Sequence, residues 1–549
     1  MGPLVSRHRR VAILLTCGWL STAALQAQLL PPTTTGAESS GWPSDWSPLR
    51  LMADVPGAFG SFLLTPALLT RPSPTAGLFW STGNPAGLSD EPVERWSSYR
   101  LDWERTHGEY RRPLDPGTDA RVRLSVEGWG KVGTRSGAAG RVVVERADLG
   151  RPAAADVMAP YAGSPLVVLD TSATDLGSTT ARIEGAVGIG VGRFGLGAVL
   201  GFDAGDTRTI AAPAPRTIRS AVPAAVLGAT WRPLGDDRVQ IGVNGRWQQA
   251  THRINIFSLA APTRVYQLTG YGEAVPLDVS SSFYRRDIDG HTRGLGAGVA
   301  GRIAGAQVVL HGELAGAEDR HSNAEANDPP TDRWTTDVVR LGAVAQRRFF
   351  EDRLQLFASV TRVQLNGQTQ LYEVPDQVAF TARERSLDLA LDARLDLWPW
   401  QLGLRASGAH RSRLRVDSLV GAAADVKSWT SVGSVEVARA LGSGLSAAVA
   451  GAYGAYRTAG TIPKPDQLGT VYRTYAGPEL ALDATDATAL LGTFTLRWEP
   501  GARGAGFFAQ ASTLTASPSG DFRLPLAPAD VSRRTWTVRL GFTSTRPPK

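Results

Sequence analysis

The chain has 549 residues, 42% of them hydrophobic and 20% charged, with 60 glycines and a single cysteine, a length that allows several soluble domains or one very large sheet. Gly and Pro are plentiful but spread along the chain, which suits many turns better than a disordered tract. The formal charge of +7 comes from basic residues that are nearly all Arg; they interleave with Asp and Glu, so no basic stripe forms and no nucleic-acid partner is expected.

At the N-terminus, Arg7, Arg9 and Arg10 precede an apolar run over 11–25 and then Gln26-Ala27, the pattern of a Sec signal peptide cleaved after Ala27. The run is shorter than the ~20 residues a spanning helix needs. Cleavage there would remove Cys17, the only cysteine, so disulfides are not expected to stabilise the mature chain despite its export. Residues 28–94 are rich in Pro, Ser and Thr and lack sustained alternation. They are expected to form either a periplasmic or lumen-filling plug segment with one or two short helices or a bare linker, ending in Phe79-Trp80-Ser81-Thr82-Gly83-Asn84-Pro85-Ala86-Gly87-Leu88.

From residue 95 onward the character changes. Period-2 segments recur at 97–107, 119–129, 134–146, 179–191, 193–205, 220–232, 237–250, 286–303, 306–319, 335–348, 352–365, 384–397, 401–414, 427–441, 444–458, 484–499, 504–517 and 534–543. Most have the length of a tilted membrane strand, about 9–13 residues. The stretch 385–413 shows the principle. Leu387, Leu389, Leu391, Ala393, Leu395 and Leu397 fall on one face, and Ser386, Asp388, Ala390, Asp392, Arg394 and Asp396 on the other. After the corner Trp398-Pro399-Trp400-Gln401, Leu402, Leu404 and Ala406 resume the apolar row. A soluble sandwich would turn that row to a core, and a membrane barrel would turn it to lipid.

The connections decide between the two. Tight turns at 192–193, 233–236, 304–305, 349–351, 398–400, 442–443 and 500–503 alternate with long polar excursions at 147–178, 251–285, 320–334, 366–383, 459–483 and 518–533. One short rim and one long rim are the mark of an outer-membrane barrel, whose brief turns lie in the periplasm. Trp129, Trp231, Trp398 and Trp498 then fall at the short rim and Trp247, Trp429 and Trp536 near the long one, as two aromatic girdles would. No apolar stretch of helical spanning length follows the signal, so any span must be built of strands, and strands in lipid must close. The expected fold is all-β: a transmembrane antiparallel β-barrel of 16–18 strands over 95–549, in the bacterial outer membrane, with lipid and the barrel-assembly machinery as partners. The last segment, 535–542, ends in Phe542 as barrel-insertion signals commonly do, although seven residues trail beyond it.

The inward rows are charged. Candidate lumen-lining residues are Arg182, Glu184, Arg246, His311, Glu313, Asp388, Asp392, Arg394, Asp396 and Arg405, with both signs in similar amounts, which points to cross-strand pairing and no strong ion selectivity. Gly190-Val191-Gly192-Arg193-Phe194-Gly195 matches GxGxxG, but strands flank it on both sides, so it reads as a hairpin turn and not as a dinucleotide site. The seven histidines are scattered, with neither zinc spacing nor a GxSxG elbow. No cofactor, metal or catalytic residue is expected; a hydrolase built on His311 or His410 is the weakest alternative.

Asn84-Pro85-Ala86-Gly87-Leu88 resembles the NPAG-type segment of FadL-like outer-membrane proteins, which implies that the N-terminal region plugs the barrel. Asn84-Pro85-Ala86, Gly128-Trp129-Gly130, Pro160-Tyr161 with Asp170, Tyr266-Gln267-Leu268-Thr269-Gly270 with Gly272, and Tyr284-Arg285-Arg286 together resemble an uncharacterised family of large Bacteroidota-type outer-membrane β-barrels, a domain of unknown function. The resemblance implies a location and no substrate. Passage or facilitated uptake of a small or apolar solute, gated by the N-terminal segment and by loops 147–178 and 251–285, is the expectation; a structural or surface-interaction barrel is the alternative.

Overall fold

All eighteen period-2 segments are strands in the computed structural model, which describes residues 77–90, 95–108, 118–150, 166–170, 175–209, 216–234, 239–257, 265–272, 275–276, 283–323, 331–476, 480, 484–500, 505–519 and 532–546. In chain order the strands are β1 (Arg95–Gly108), β2 (Thr118–Gly133), β3 (Ser136–Gly150), β4 (Val167–Asp170), β5 (Leu176–Val191), β6 (Phe194–Thr209), β7 (Arg216–Trp231), β8 (Val239–Phe257), β9 (Val265–Leu268), β10 (Val275–Pro276) and β11 (Phe283–Ile303). They continue with β12 (Ala306–Asn323), β13 (Thr331–Phe349), β14 (Leu354–Leu371), β15 (Val374–Leu397), β16 (Trp400–Asp417), β17 (Ala422–Gly442), β18 (Leu445–Thr461), β19 (Ala487–Trp498), β20 (Ala505–Pro518) and β21 (Arg533–Arg546). Ahead of them lie a short helix α1 (Leu78–Thr82) and a 3-10 turn (Pro85–Asp90). The signal peptide, its cleavage site and 28–76 lie outside the described residues.

Eighteen strands form one antiparallel sheet, each paired with its chain neighbour, and β21 returns to pair with β1 from Arg95 opposite Arg546 to Gly108 opposite Arg533. The sheet is therefore a closed barrel without an edge. The three short strands β4, β9 and β10 form a separate sheet drawn from two of the long excursions.

Period-2 alternation fixes what the two faces touch. On β15, Leu389 and Leu391 are 51% and 61% exposed, and Leu404 and Val538 on β16 and β21 are each 43% exposed, while the residues between them turn inward. Exposed Leu, Val, Ile and Phe side chains continue around the strands, far beyond the few hundred Å² of contiguous apolar surface that a soluble monomer tolerates. No described helix is long and apolar enough to cross a membrane. The strands cross it, with every ladder hydrogen bond satisfied inside the closed sheet.

The short rim is as tight as the sequence predicts. Gly192-Arg193 joins β5 to β6 and Ala304-Gly305 joins β11 to β12, with Gly192 at φ +60° and Gly305 at φ +79°, values that a β-carbon disfavours. The corner at 398–401 is shorter than expected, only Trp398-Pro399, because Trp400 already pairs with Leu397 and with Arg439. The long rim departs further from expectation. Excursion 366–383 is mostly strand: β14 runs to Leu371 and β15 starts at Val374. Beyond the bilayer the outward row has no need to be apolar, so the alternation that marks a strand fades while the hydrogen-bond ladder continues.

Six of the seven expected girdle tryptophans face outward and are at least 40% exposed. Trp129 does not. It sits on the inner face of β2, stacked on Trp96 at 4.1 Å between ring centroids, because its position on the strand shares the parity of the inward residues Arg121, Ser125 and Glu127.

Candidate functional site

The lumen is narrowed at the short-turn end by the chain's own segment 78–90. Gly83, in the left-handed conformation, ends α1 with its N–H donating to Phe79 O at 2.9 Å. The next residue, Asn84, is 1% exposed and reaches the wall: its Nδ2 donates to Ala229 O on β7 at 3.1 Å and to Val243 O on β8 at 3.0 Å. Its Oδ1 meanwhile accepts the Ala86 N–H at 3.1 Å, which sets the turn that Pro85 begins. Asn244 returns a bond from the wall, Nδ2 to Thr82 O at 3.4 Å.

The wall has been cleared for this segment. Along β3, β5, β6, β7 and β8 the inward positions beneath it are Gly137, Gly188, Gly197, Gly228 and Gly242, and a β-carbon at Gly228 would land on Asn84 Oδ1, one at Gly197 on the Ala86 nitrogen. Apolar contacts complete the seat: Phe79 and Leu88 pack on Ala139, Ala186, Val199 and Val226, and Leu78 packs on Ala300, Val309 and Val344. Asn84, Pro85 and Ala86 are thus placed against the inner wall and buried.

Charged side chains occupy the wall above. Arg182 binds Asp203 through two hydrogen bonds, 2.7 and 2.8 Å, and Glu184, on the same face, lies 4.0 Å from Arg141. Arg246 meets Glu313 at 3.1 Å, with Arg340 3.9 Å from the other carboxylate oxygen. The His311 ring lies across the position where Gly342 lacks a side chain. Across β15 and β16, Arg405 pairs with Asp392 at 3.5 Å, and Asp388 accepts from Ser386 Oγ at 3.1 Å. Arg394 follows on the same face, whereas Asp396 is exposed at the short-turn rim, its N–H donating to Arg353 O at 2.8 Å.

A second charged array escapes sequence reasoning. Gln510 accepts from Arg539 at 3.2 Å, Arg539 donates to Asp102 at 2.6 Å across the closing seam, and Gln510 in turn donates to Thr495 at 3.1 Å. Arg121 and Arg123 share Glu145 at 3.3 and 2.7 Å, Arg121 also contacting Asp119. Removing one member of such a buried array strands its partner's charge in a poorly solvated place. The partner of Asp102 lies 437 residues away along the chain, so only closure of the barrel could reveal it. Among the described residues no group of three His, Cys, Asp or Glu is placed to hold a metal ion.

The long-loop end is filled from three excursions. Leu166, Leu268, Tyr271, Leu468, Tyr472 and Leu480 pack on Trp334, Phe380 and the inner faces of β15 and β17. Polar pins set the geometry. The Asp417 carboxylate accepts the backbone N–H of Tyr271 at 2.6 Å and of Leu419 at 3.0 Å, while Asp332 accepts Gln267 Nε2 at 2.7 Å. A side chain at Gly270 would fall on the Asp417 carboxylate, which gives the Tyr266-Gln267-Leu268-Thr269-Gly270 stretch a physical role in docking. Asp417→Ala is expected to speed amide exchange at Tyr271 about tenfold, one charge-assisted hydrogen bond being worth ~1.5 kcal/mol; unchanged exchange in a hydrogen–deuterium measurement would show that the apolar cluster alone holds the loop.

The profile of a family of unknown function, DUF6850, matches residues 85–544. No curated protein sequence matches the chain. Among solved structures, the ferric preacinetobactin receptor BauA of Acinetobacter baumannii is 8% identical, with 81% of this chain and 80% of that one covered and a TM-score of 0.35. The copper transporter OprC is 10% identical, with 82% and 81% covered and a TM-score of 0.39. The unliganded ferric citrate transporter FecA is 7% identical, with 82% and 79% covered and a TM-score of 0.40.

Proposed function

The chain belongs to the DUF6850 family of unknown function, and we propose that it is an outer-membrane channel for a small polar solute, closed at rest by its own N-terminal segment on the periplasmic side and by folded loops on the outer side. The observation that carries this reading is the hydrogen-bonded seating of Asn84 on the β7 and β8 carbonyls, over glycines that leave room for nothing larger. A segment attached by a few neutral hydrogen bonds and a modest apolar contact is releasable, whereas a strand of the sheet is not. The likeness of 84–88 to the FadL-like plug segment supports the same role.

The wall between the two closures favours a polar solute over an apolar one. Arg182, Glu184, Arg246, His311, Glu313, Asp388, Asp392, Arg394 and Arg405 line it in this reading, mostly as pairs, so their fields largely cancel and selection by net charge is weak. Arg411, on the inner face of β16, sits diagonally across from Asp388 and balances its carboxylate. His410 faces the other way, tilted against Trp429 with ring centroids 5.2 Å apart, so its ring is turned away from the lumen.

Purified protein in planar bilayers tests the proposal. Brief conductance steps and uptake of small neutral and zwitterionic solutes into proteoliposomes at comparable rates are expected. A chain that stays silent in bilayers even after the N-terminal segment is released would instead be a structural or surface-interaction barrel.

A further inference from the structure

The outward face carries a second pattern besides the apolar belt. On β14 the outward residues Leu356, Ala358 and Val360 give way to Arg362, and on β15 Leu391, Leu389 and Leu387 give way to Arg385 and Arg383. On β17 Val437 and Val435 are followed, past Gly433 and Ser431, by Trp429 and then Lys427. Each strand switches from apolar to cationic on the long-loop side of its own membrane segment, and Trp429 stands at the switch, where an indole prefers the headgroup boundary. Short turns being periplasmic, this is the outer leaflet.

Several other cations near that rim have carboxylate partners. Arg208 and Arg219 share Asp206, Arg253 and Arg285 share Asp287, and Arg320 and Arg333 share Glu318. Arg362, Arg383, Arg385 and Lys427 are all exposed and, among the described residues, have neither a hydrogen bond nor an ion pair. Asp425, one outward position beyond Lys427, pairs with none of them. The register brings them together: Arg362 lies opposite Leu387 and Gln364 opposite Arg385, so Arg362 and Arg385 are diagonal neighbours, and Arg385 faces Ser412, which faces Lys427. The four strands β14 to β17 span about 14 Å, within reach of a disaccharide headgroup carrying a phosphate at each end. Four unneutralised cations held side by side at a lipid boundary repel one another unless an anion sits among them, and Arg in particular matches phosphate oxygens in pairs.

We propose that Arg362, Arg383, Arg385 and Lys427 form a binding site for the phosphate groups of an outer-leaflet glycolipid, whose acyl chains lie on the leucine rows of β14 and β15. The site is independent of transport and rests only on the barrel's standing in a membrane.

The test uses the intact protein in detergent, mixed with diphosphoryl lipid A, with dephosphorylated lipid A, or with diphosphoryl lipid A plus inorganic phosphate, retained lipid being counted by native mass spectrometry. The protein is expected to keep diphosphoryl lipid A at least tenfold better than the dephosphorylated form, and millimolar inorganic phosphate to leave that retention unchanged. Combining Arg362→Gln, Arg383→Gln, Arg385→Gln and Lys427→Gln should cut retention at least tenfold while the folded band on an unheated gel persists; Arg385→Gln with Lys427→Gln serves if the fourfold variant fails to fold. Arg320→Gln with Arg333→Gln, which removes cations already paired, should have no effect. Equal retention of the two lipids, displacement by inorganic phosphate, or equal loss in the paired-cation variant would overturn the site.

Discussion

Leu391→Arg is expected to destabilise the barrel in lipid vesicles by about 2–4 kcal/mol, the cost of an arginine on the lipid face near the bilayer midplane. Leu391 is 61% exposed and lies midway along the outward row of β15, with Leu387 and Leu389 on one side and Ala393 and Leu395 on the other. In a water-soluble protein a residue so exposed could be exchanged for arginine with an effect within about ±0.5 kcal/mol. The size of the penalty therefore reports the solvent outside the sheet. A urea titration followed by the heat-modifiable gel band measures it directly, and a variant as stable as the parent would mean that water touches Leu391.

Asn84→Ala should raise the open fraction of the channel by roughly 5- to 150-fold, from the loss of two hydrogen bonds worth together about 1–3 kcal/mol. Both acceptors are backbone carbonyls of the wall, so no other side chain compensates at that position. Gly228→Val attacks the same contact from the opposite side, since its β-carbon would occupy the place of Asn84 Oδ1. The two variants should give similar single-channel records in planar bilayers. Gly433→Ala is the control, because a β-carbon there meets nothing within 4 Å. Conductance unchanged by both lumen variants would show that 78–90 does not obstruct the path.

The contrast between these two predictions reflects what could be read early and what could not. The leucine row over 387–397 is a local pattern, and lipid on one side with a charged lumen on the other leaves a strand little alternative. The stretch 84–88 resembles a known plug segment, yet nothing in it names the seat of Asn84. Gly228 and Gly242 look in sequence like ordinary small residues of a strand. Their meaning appears only when β7 and β8 are folded beside a segment some 145 residues earlier. Trp129 shows the reverse error: a tryptophan near a turn suggests a girdle, and the parity of its strand sends it inward onto Trp96.

The sequence by itself determined the strands, the side of each that meets lipid and the inequality of the two rims, because alternation is a property of neighbours along the chain and the bilayer enforces it strand by strand. Tertiary structure alone decided that Arg539 would meet Asp102, that Asp417 would hold Tyr271 and that Asn84 would find the carbonyls of Ala229 and Val243. Those contacts join residues far apart in the chain, and their geometry is set by closing and staggering the whole sheet, which no local pattern encodes.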